Sequence, residues 1–228
     1  MKKTILSLAI FLTNFAFAQT SEVENVKWSP LTINPTAVSR KTNGLNVGIL
    51  DSYENRKING INFQLNPITL LYLLIPTALE VPEKGSETVS INGLHLSTGG
   101  MLDGGTLNGI GISMYHIAQE SNGITFNGFN NNSGKLNGVH VSWLNNSTEN
   151  GNGILVAFSN TAEKFNGIQL GLFNEITEGN GLQVGINNST SNLRGIQIGI
   201  INKSKSRKGL QLGFWNKNAK RTLPFINF

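Results

Sequence analysis

The side chains that could do chemistry in this sequence are few, and their spacing builds no reaction centre. There are three histidines, His95, His116 and His140, and no cysteine. The lack of cysteine removes disulfides, thiol nucleophiles and thiolate metal sites together. A metal site needs ligands that converge. His95 and His140 instead share one phase of a repeat, on its polar face, and read as ladder members. Carboxylates such as Asp51, Glu54, Glu120, Glu149, Glu163, Glu175 and Glu178 fall mostly in turns or in the N-terminal part. None is paired for acid–base work. Asp103-Gly104-Gly105-Thr106 reads as a plain turn, because it lacks both the calcium nonapeptide and a phosphate-loop lysine. No nucleophile motif supports a Ser–His–Asp arrangement. The expectation is a non-enzyme without metal or cofactor.

What dominates the chain is a repeat. One glycine marks each unit: Gly44, Gly60, Gly93, Gly109, Gly123, Gly138, Gly153, Gly167, Gly181, Gly195 and Gly209. From Gly109 the steps are 14, 15, 15, 14, 14, 14 and 14 residues. A fixed period of this kind marks a repeat architecture. The unit core reads N-G-Φ-Q-Φ-G-Φ, with Φ apolar. The first and second Φ positions are apolar in all eleven units, and the third fails only at Thr98 and Gly128. Such alternation is the period of a β-strand and puts three apolar side chains on one face. The expectation is that this triplet is the buried face.

The opposite face is polar and small. In the last four units it carries Gln169, Gln183, Gln197 and Gln211, followed by Gly171, Gly185, Gly199 and Gly213. Asn precedes the anchor glycine in nine of the eleven units, and another Asn closes many strands. Asn and Gly suit tight turns. Two residues before the anchor glycine, Leu107, Leu136, Phe165 and Leu193 alternate with Ser121, Gly151, Gly179 and Arg207. This alternation predicts a structural period of two units, about 28 residues, with two kinds of turn.

Two all-β architectures fit. One is a β-solenoid with two strands per coil, whose facing sheets interlock their triplets. The other is an antiparallel meander or β-barrel, as in an outer membrane. The triplet, tilted as barrel strands are, covers only about 13 Å of a band that should be about 25 Å tall. A water-soluble barrel of about twelve strands would be too wide for its side chains to fill. The solenoid is the preferred expectation. The terminal aromatic Phe228 and the two turn types speak for the barrel.

The ends and the interruption complete the domain reading. Residues 1–19 read as a secretory signal: Lys2 and Lys3, an apolar run to Phe17, and Ala16-Phe17-Ala18 as cleavage site. Residues 20–41 form an N-terminal cap or linker, 42–220 the repeat domain with an apolar insertion at 66–90, and 221–228 a C-terminal cap. Within the insertion, Ile68 to Val81 is too short for a spanning helix and contains Pro76. It reads either as a cover for the core or as an element that touches membrane or a partner.

Charge is uneven. From Gly179 onward there is no Asp or Glu but eight bases, among them Lys203, Lys205, Arg207, Lys208, Lys217, Lys220 and Arg221. They lie in successive turns, expected on opposite edges of a two-unit coil. They form a candidate anion-facing set, with solvated turns as the plainer reading. Trp143 and Trp215, with Tyr115, Phe129 and Phe173 nearby in phase, suit either stacking on sugars or edge packing. Regular threonine ranks are missing, which removes ice binding.

The run from Phe165, with GIQLGLFN, GLQVGINN, GIQIGIIN and GLQLGFWN, resembles an exported bacterial surface-repeat family with GIQIG-x-x-N repeats, largely uncharacterised, from Gram-negative envelopes. The resemblance covers about Gly93 to Phe228 and implies a periplasmic, outer-membrane or surface location. It carries no catalytic residues. Early units such as HLSTGG and ISMYHI depart from it. The functional expectation is an interaction scaffold for an envelope glycan or protein, bound through the glutamine face, with an outer-membrane barrel of structural or pore role as alternative. No nucleic-acid partner is expected; membrane association stays open.

Overall fold

The computed structural model describes residues 29–33, 41–50, 53, 55–67, 69, 80–81, 83–85, 87–102, 104–206 and 208–228. The signal-like segment 1–19, most of Ile68 to Val81, Asp103 and Arg207 lie outside the described residues.

The described residues form one β-solenoid. Its strands are β1 (Ser29–Ile33), β2 (Lys41–Ile49), β3 (Arg56–Leu65), β4 (Val89–Ser97), β5 (Gly100–Met101), β6 (Thr106–Ser142), β7 (Asn145–Val156), β8 (Ser159–Leu170), β9 (Phe173–Ser204), β10 (Leu210–Lys217) and β11 (Thr222–Asn227). The order is β1-β2-β3-β4-β6-β7-β8-β9-β10-β11, with β5 against β6. Every neighbour pairs in parallel except β10 with β11. The structure is therefore a solenoid of about eleven turns and not a barrel.

Register shows what one turn is. Gly138 pairs with Gly153, Gly153 with Gly167, and Gly167 with Gly181. Each 14- or 15-residue unit is thus a complete coil. A coil carries two β segments: Asn145–Thr148 and Asn150–Val156 pair separately with the coil above. The expected two strands per coil are present, but both come from one unit, so the coil is half the expected 28 residues. The 33-residue step after Gly60 leaves the stack intact, because Gly60 still pairs with Gly93.

The anchor glycines form a single column. Ten of the eleven have φ between +107° and +149°. A Cβ on each from Gly60 to Gly195 would collide with the carbonyl oxygen of the glycine below. Steric room and backbone conformation both demand glycine there.

The alternation before the anchor glycine is a packing period. Leu107, Leu136, Phe165 and Leu193 all point inward and are buried. Between them Ser121, Gly151 and Gly179 leave space; a Cβ on Gly151 would come within 3.0 Å of the Phe165 ring. From Leu107 on, large stacks on small; nearer the N-terminus Ile58, Ile91 and Leu107 stack directly on one another in register.

At the C-terminus β11 folds back antiparallel on β10. Asn227 Nδ2 donates to Gln211 Oε1 at 3.1 Å and so ends the interior glutamine ladder. Arg221 lies over the Phe228 ring at 4.6 Å and donates to the Phe228 carbonyl at 3.0 Å.

Candidate functional site: an exposed aliphatic face over a polar interior

The two faces of the repeat strand are oriented opposite to expectation. Gln169, Gln183, Gln197 and Gln211 are buried, at 0–3% exposure. The apolar triplet faces solvent: Ile196 is 39%, Ile198 40% and Ile200 54% exposed. The glutamines are therefore not an outer binding surface. The reason is the one-unit coil. The triplet would need a second triplet opposite it, but its own coil returns through a segment of Asn, Ser and Thr. The narrow interior between two short segments is shared by stacked amides and by an apolar column that includes Leu136, Phe165, Ile176 and Leu193.

The amides fit inside because each is paired. Gln211 donates to Gln197, Gln197 to Gln183 and Gln183 to Gln169, at 2.8–3.0 Å. Each also reaches a carbonyl of its own coil, as Gln211 does to Lys217 at 3.0 Å. A second interior ladder runs Asn146, Asn160, Asn174, Asn188, Asn202 and Asn216, at 2.7–3.0 Å. Asn174 Nδ2 donates to Asn188, to Val184 O at 2.9 Å and to Gly171 O at 3.2 Å. Paired in this way, buried amides escape the desolvation cost of unmade bonds. A third ladder, of the nine asparagines before the anchor glycines, borders the outer face; its ends are Asn43 and Asn180.

The histidines are also interior. His95, His116 and His140 are all 0% exposed, not members of a surface ladder. His95 Nδ1 lies 2.9 Å from Asn62 Nδ2 and His140 Nδ1 lies 2.9 Å from Thr125 Oγ1. Burial lowers His95 and His140 to about 4 and His116 to about 3, the last also through the other two histidines. All three are neutral at neutral pH. Nε2 of His95, Nδ1 of His116 and Nε2 of His140 have no hydrogen-bond partner. His116 Nε2 lies 2.6 Å from Ser121 Oγ, a contact that repeat-phase reasoning missed. Both residues are sealed at 0% exposure, so this pair offers a substrate no approach. Among the described residues no group of three His, Asp or Glu is placed to hold a metal.

The outer face is an exposed apolar surface that runs the length of the described coils. It has three ranks across eleven coils, 33 positions, of which only Thr98 and Gly128 are not apolar. No charge interrupts it. Its third rank is interrupted by short side chains. There Thr98, Met114 and Gly128 leave a depression of about 830 Å³, walled by Leu65 and Pro67 at one end and Trp143 at the other. Trp143 is 76% and Phe214 68% exposed. The other aromatics partly satisfy each other: Tyr115 stacks on Phe129 at 5.3 Å and Phe158 tilts against Phe173 at 5.5 Å.

The basic residues lie elsewhere. Lys203 and Lys217 pair in register on neighbouring coils, not on opposite edges. Lys205, Lys208 and Lys220 are exposed, and Arg221 is half-buried in the C-terminal hairpin. One coil below Lys203 in this column stands Ser189, and below that Glu175, so the basic set is confined to the last coils. No family model matches the chain, and no curated protein or solved structure matches it either.

Proposed function

We propose that this chain is a non-enzymatic interaction scaffold of the bacterial cell envelope, and that it docks a protein partner through its aliphatic face. The observation that carries this reading is the face itself: regular, uncharged and, among the described residues, paired with no other sheet. Exposed apolar patches of this regularity mark interaction surfaces. Export is supported by the charged start, apolar run and Ala16-Phe17-Ala18 of the N-terminal segment. The glycan half of the sequence expectation depended on an exposed glutamine face. With those amides interior, aliphatic rows offer a sugar no hydrogen bonds, so the reading narrows to a protein surface. The pore alternative falls with the barrel.

Photo-crosslinking in the exporting cell tests the reading. A photoreactive residue at Leu170, 37% exposed on the face, is compared with one at Thr161, exposed on the return segment of the neighbouring coil. An adduct of defined mass is expected from 170 and not from 161. Absence of adducts at 170, 198 and 112, or equal adducts from 161, sinks the proposal.

A further inference from the structure

We infer that the partner of the aliphatic face is a second copy of this chain, packed face to face as a two-sheet sandwich. The inference rests on the docking-face reading above and names its partner. Eleven coils spaced about 4.8 Å span about 50 Å, and the triplet covers about 16 Å along the strand, so the face measures about 800 Å². The largest apolar patch on a monomeric protein is typically about 300–600 Å². A standard stable interface takes about 800 Å² from each side. The face therefore has the area that one subunit of a stable dimer contributes.

Chemistry points the same way. A flat sheet of Ile, Leu and Val ranks is best covered by another such sheet about 10 Å away. Among the described residues there is one such sheet, because each coil returns through a largely polar segment. A second copy supplies the other. The asparagine ladder along the border then becomes a polar rim, as interfaces commonly have.

The relief of the face is self-complementary. Consider a twofold axis lying in the interface along the strand direction, between the coils of Gly123 and Gly138. It reverses the order of coils and sets each rank opposite itself, the isologous arrangement of a closed dimer. In the third rank Gly128 then faces the partner's Trp143, Met114 the partner's Phe158, and Thr98 the partner's Leu172. The depression of about 830 Å³ receives the partner's Trp143, which is 76% exposed in the single chain. The last coil, with Leu210, Leu212 and Phe214, overhangs in this register, and Phe214 already packs edge-on against its own Phe225 at 6.4 Å.

Light scattering of the purified chain in detergent-free buffer at about 10 µM tests self-association. The expected mass is that of two chains. Phe126→Glu and Ile112→Glu should each halve it; both side chains are near half exposed in the single chain, so the charge stays in water there and an unchanged β-sheet circular dichroism checks the fold. Lys203→Glu, off the face, should leave the dimer intact. Trp143→Ala should weaken it at least tenfold. The register has its own test, because the chain has no native cysteine. Met114→Cys with Phe158→Cys, held on sheets about 10 Å apart, should be joined between subunits by a short bifunctional maleimide, and either single variant should not. Three coils separate these positions within a chain, about 14 Å, too far for an internal bridge. A monomeric wild-type chain, or a dimer that Phe126→Glu leaves intact, overturns the inference. So do single cysteines that cross-link as readily as the pair. A monomer that gives adducts of another mass from position 170, or binds uncharged lipid vesicles, sinks self-association and leaves the docking face standing. A monomer with neither sinks both readings.

Discussion

At the scale of single residues, the interior amides are the most telling feature. Asn188 accepts from Asn174 at 2.9 Å and donates to Asn202 at 2.8 Å and to Ile198 O at 2.9 Å. Replacing it by alanine removes three buried hydrogen bonds and leaves the neighbouring amides short of partners. Each net bond is worth about 1 kcal/mol and an orphaned buried group costs about 1–3 kcal/mol. Asn188→Ala should therefore lower stability by about 3 kcal/mol, read from urea unfolding. An exposed ladder member such as Asn166 has water as a substitute, so Asn166→Ala should cost well under half as much. Equal costs would contradict the interior ladder. The sequence showed these asparagines as a rank but could not place them inside, because a polar residue at a strand end reads as a turn.

The histidines belong to the same scale and make stability depend on pH. Their folded values, about 4 for His95 and His140 and about 3 for His116, lie below the usual 6.5, chiefly because burial disfavours the charged form. The unfolded chain therefore binds more protons as pH falls below 6.5. The linked stability is complete above that value and is lost as pH drops toward 4. Thermal unfolding at pH 7.5 and 4.5 should show a marked fall at the lower pH, and the double variant His95→Gln, His140→Gln should flatten it. Those two positions share the rank of the later glutamines, so the replacement keeps an amide where the stack can pair one. A chain equally stable at both values would refute the buried neutral histidines.

At the scale of the element, the coil is one unit and the packing period is two. These can be separated by deletion. Removing Gly167 to Arg194 takes out two coils and keeps large opposite small, since Phe165 then precedes Gly195 as Leu193 did. Removing Gly167 to Asn180 takes out one coil, keeps the glycine column in register, and sets Phe165 directly below Leu193. Both deletions should give folded, shorter solenoids. The single-coil deletion should be the less stable of the two by about 1–3 kcal/mol, the usual cost of overpacking. Circular dichroism with urea titration reads both. Failure of the single-coil deletion to fold would restore the 28-residue coil. The alternation of Leu107, Ser121, Leu136 and Gly151 was legible in the sequence, but a list of residues does not say whether alternate units share a coil or a packing rank.

At the scale of the whole molecule, a one-unit coil leaves the aliphatic triplet without a mate among the described residues, and that single consequence drives the functional reading. The charge asymmetry follows the solenoid axis: exposed Lys203, Lys205, Lys208, Lys217 and Lys220 gather at the C-terminal end. They sit away from the face and are free to meet solvent or an anionic surface while the face is occupied.

The amino-acid sequence by itself determined the period, the β class, the glycine column and the identity of every rank, because alternation at two residues and recurrence at fourteen are written in the chain. It also favoured the solenoid over the barrel, through the short apolar span. The tertiary structure alone decided which face is inside. Alternation assigns residues to two faces but gives neither face a partner, and burial is a property of what stands opposite. Here the segment opposite is the polar return of the same short coil. It accepts glutamine, asparagine and histidine and turns the aliphatic ranks outward.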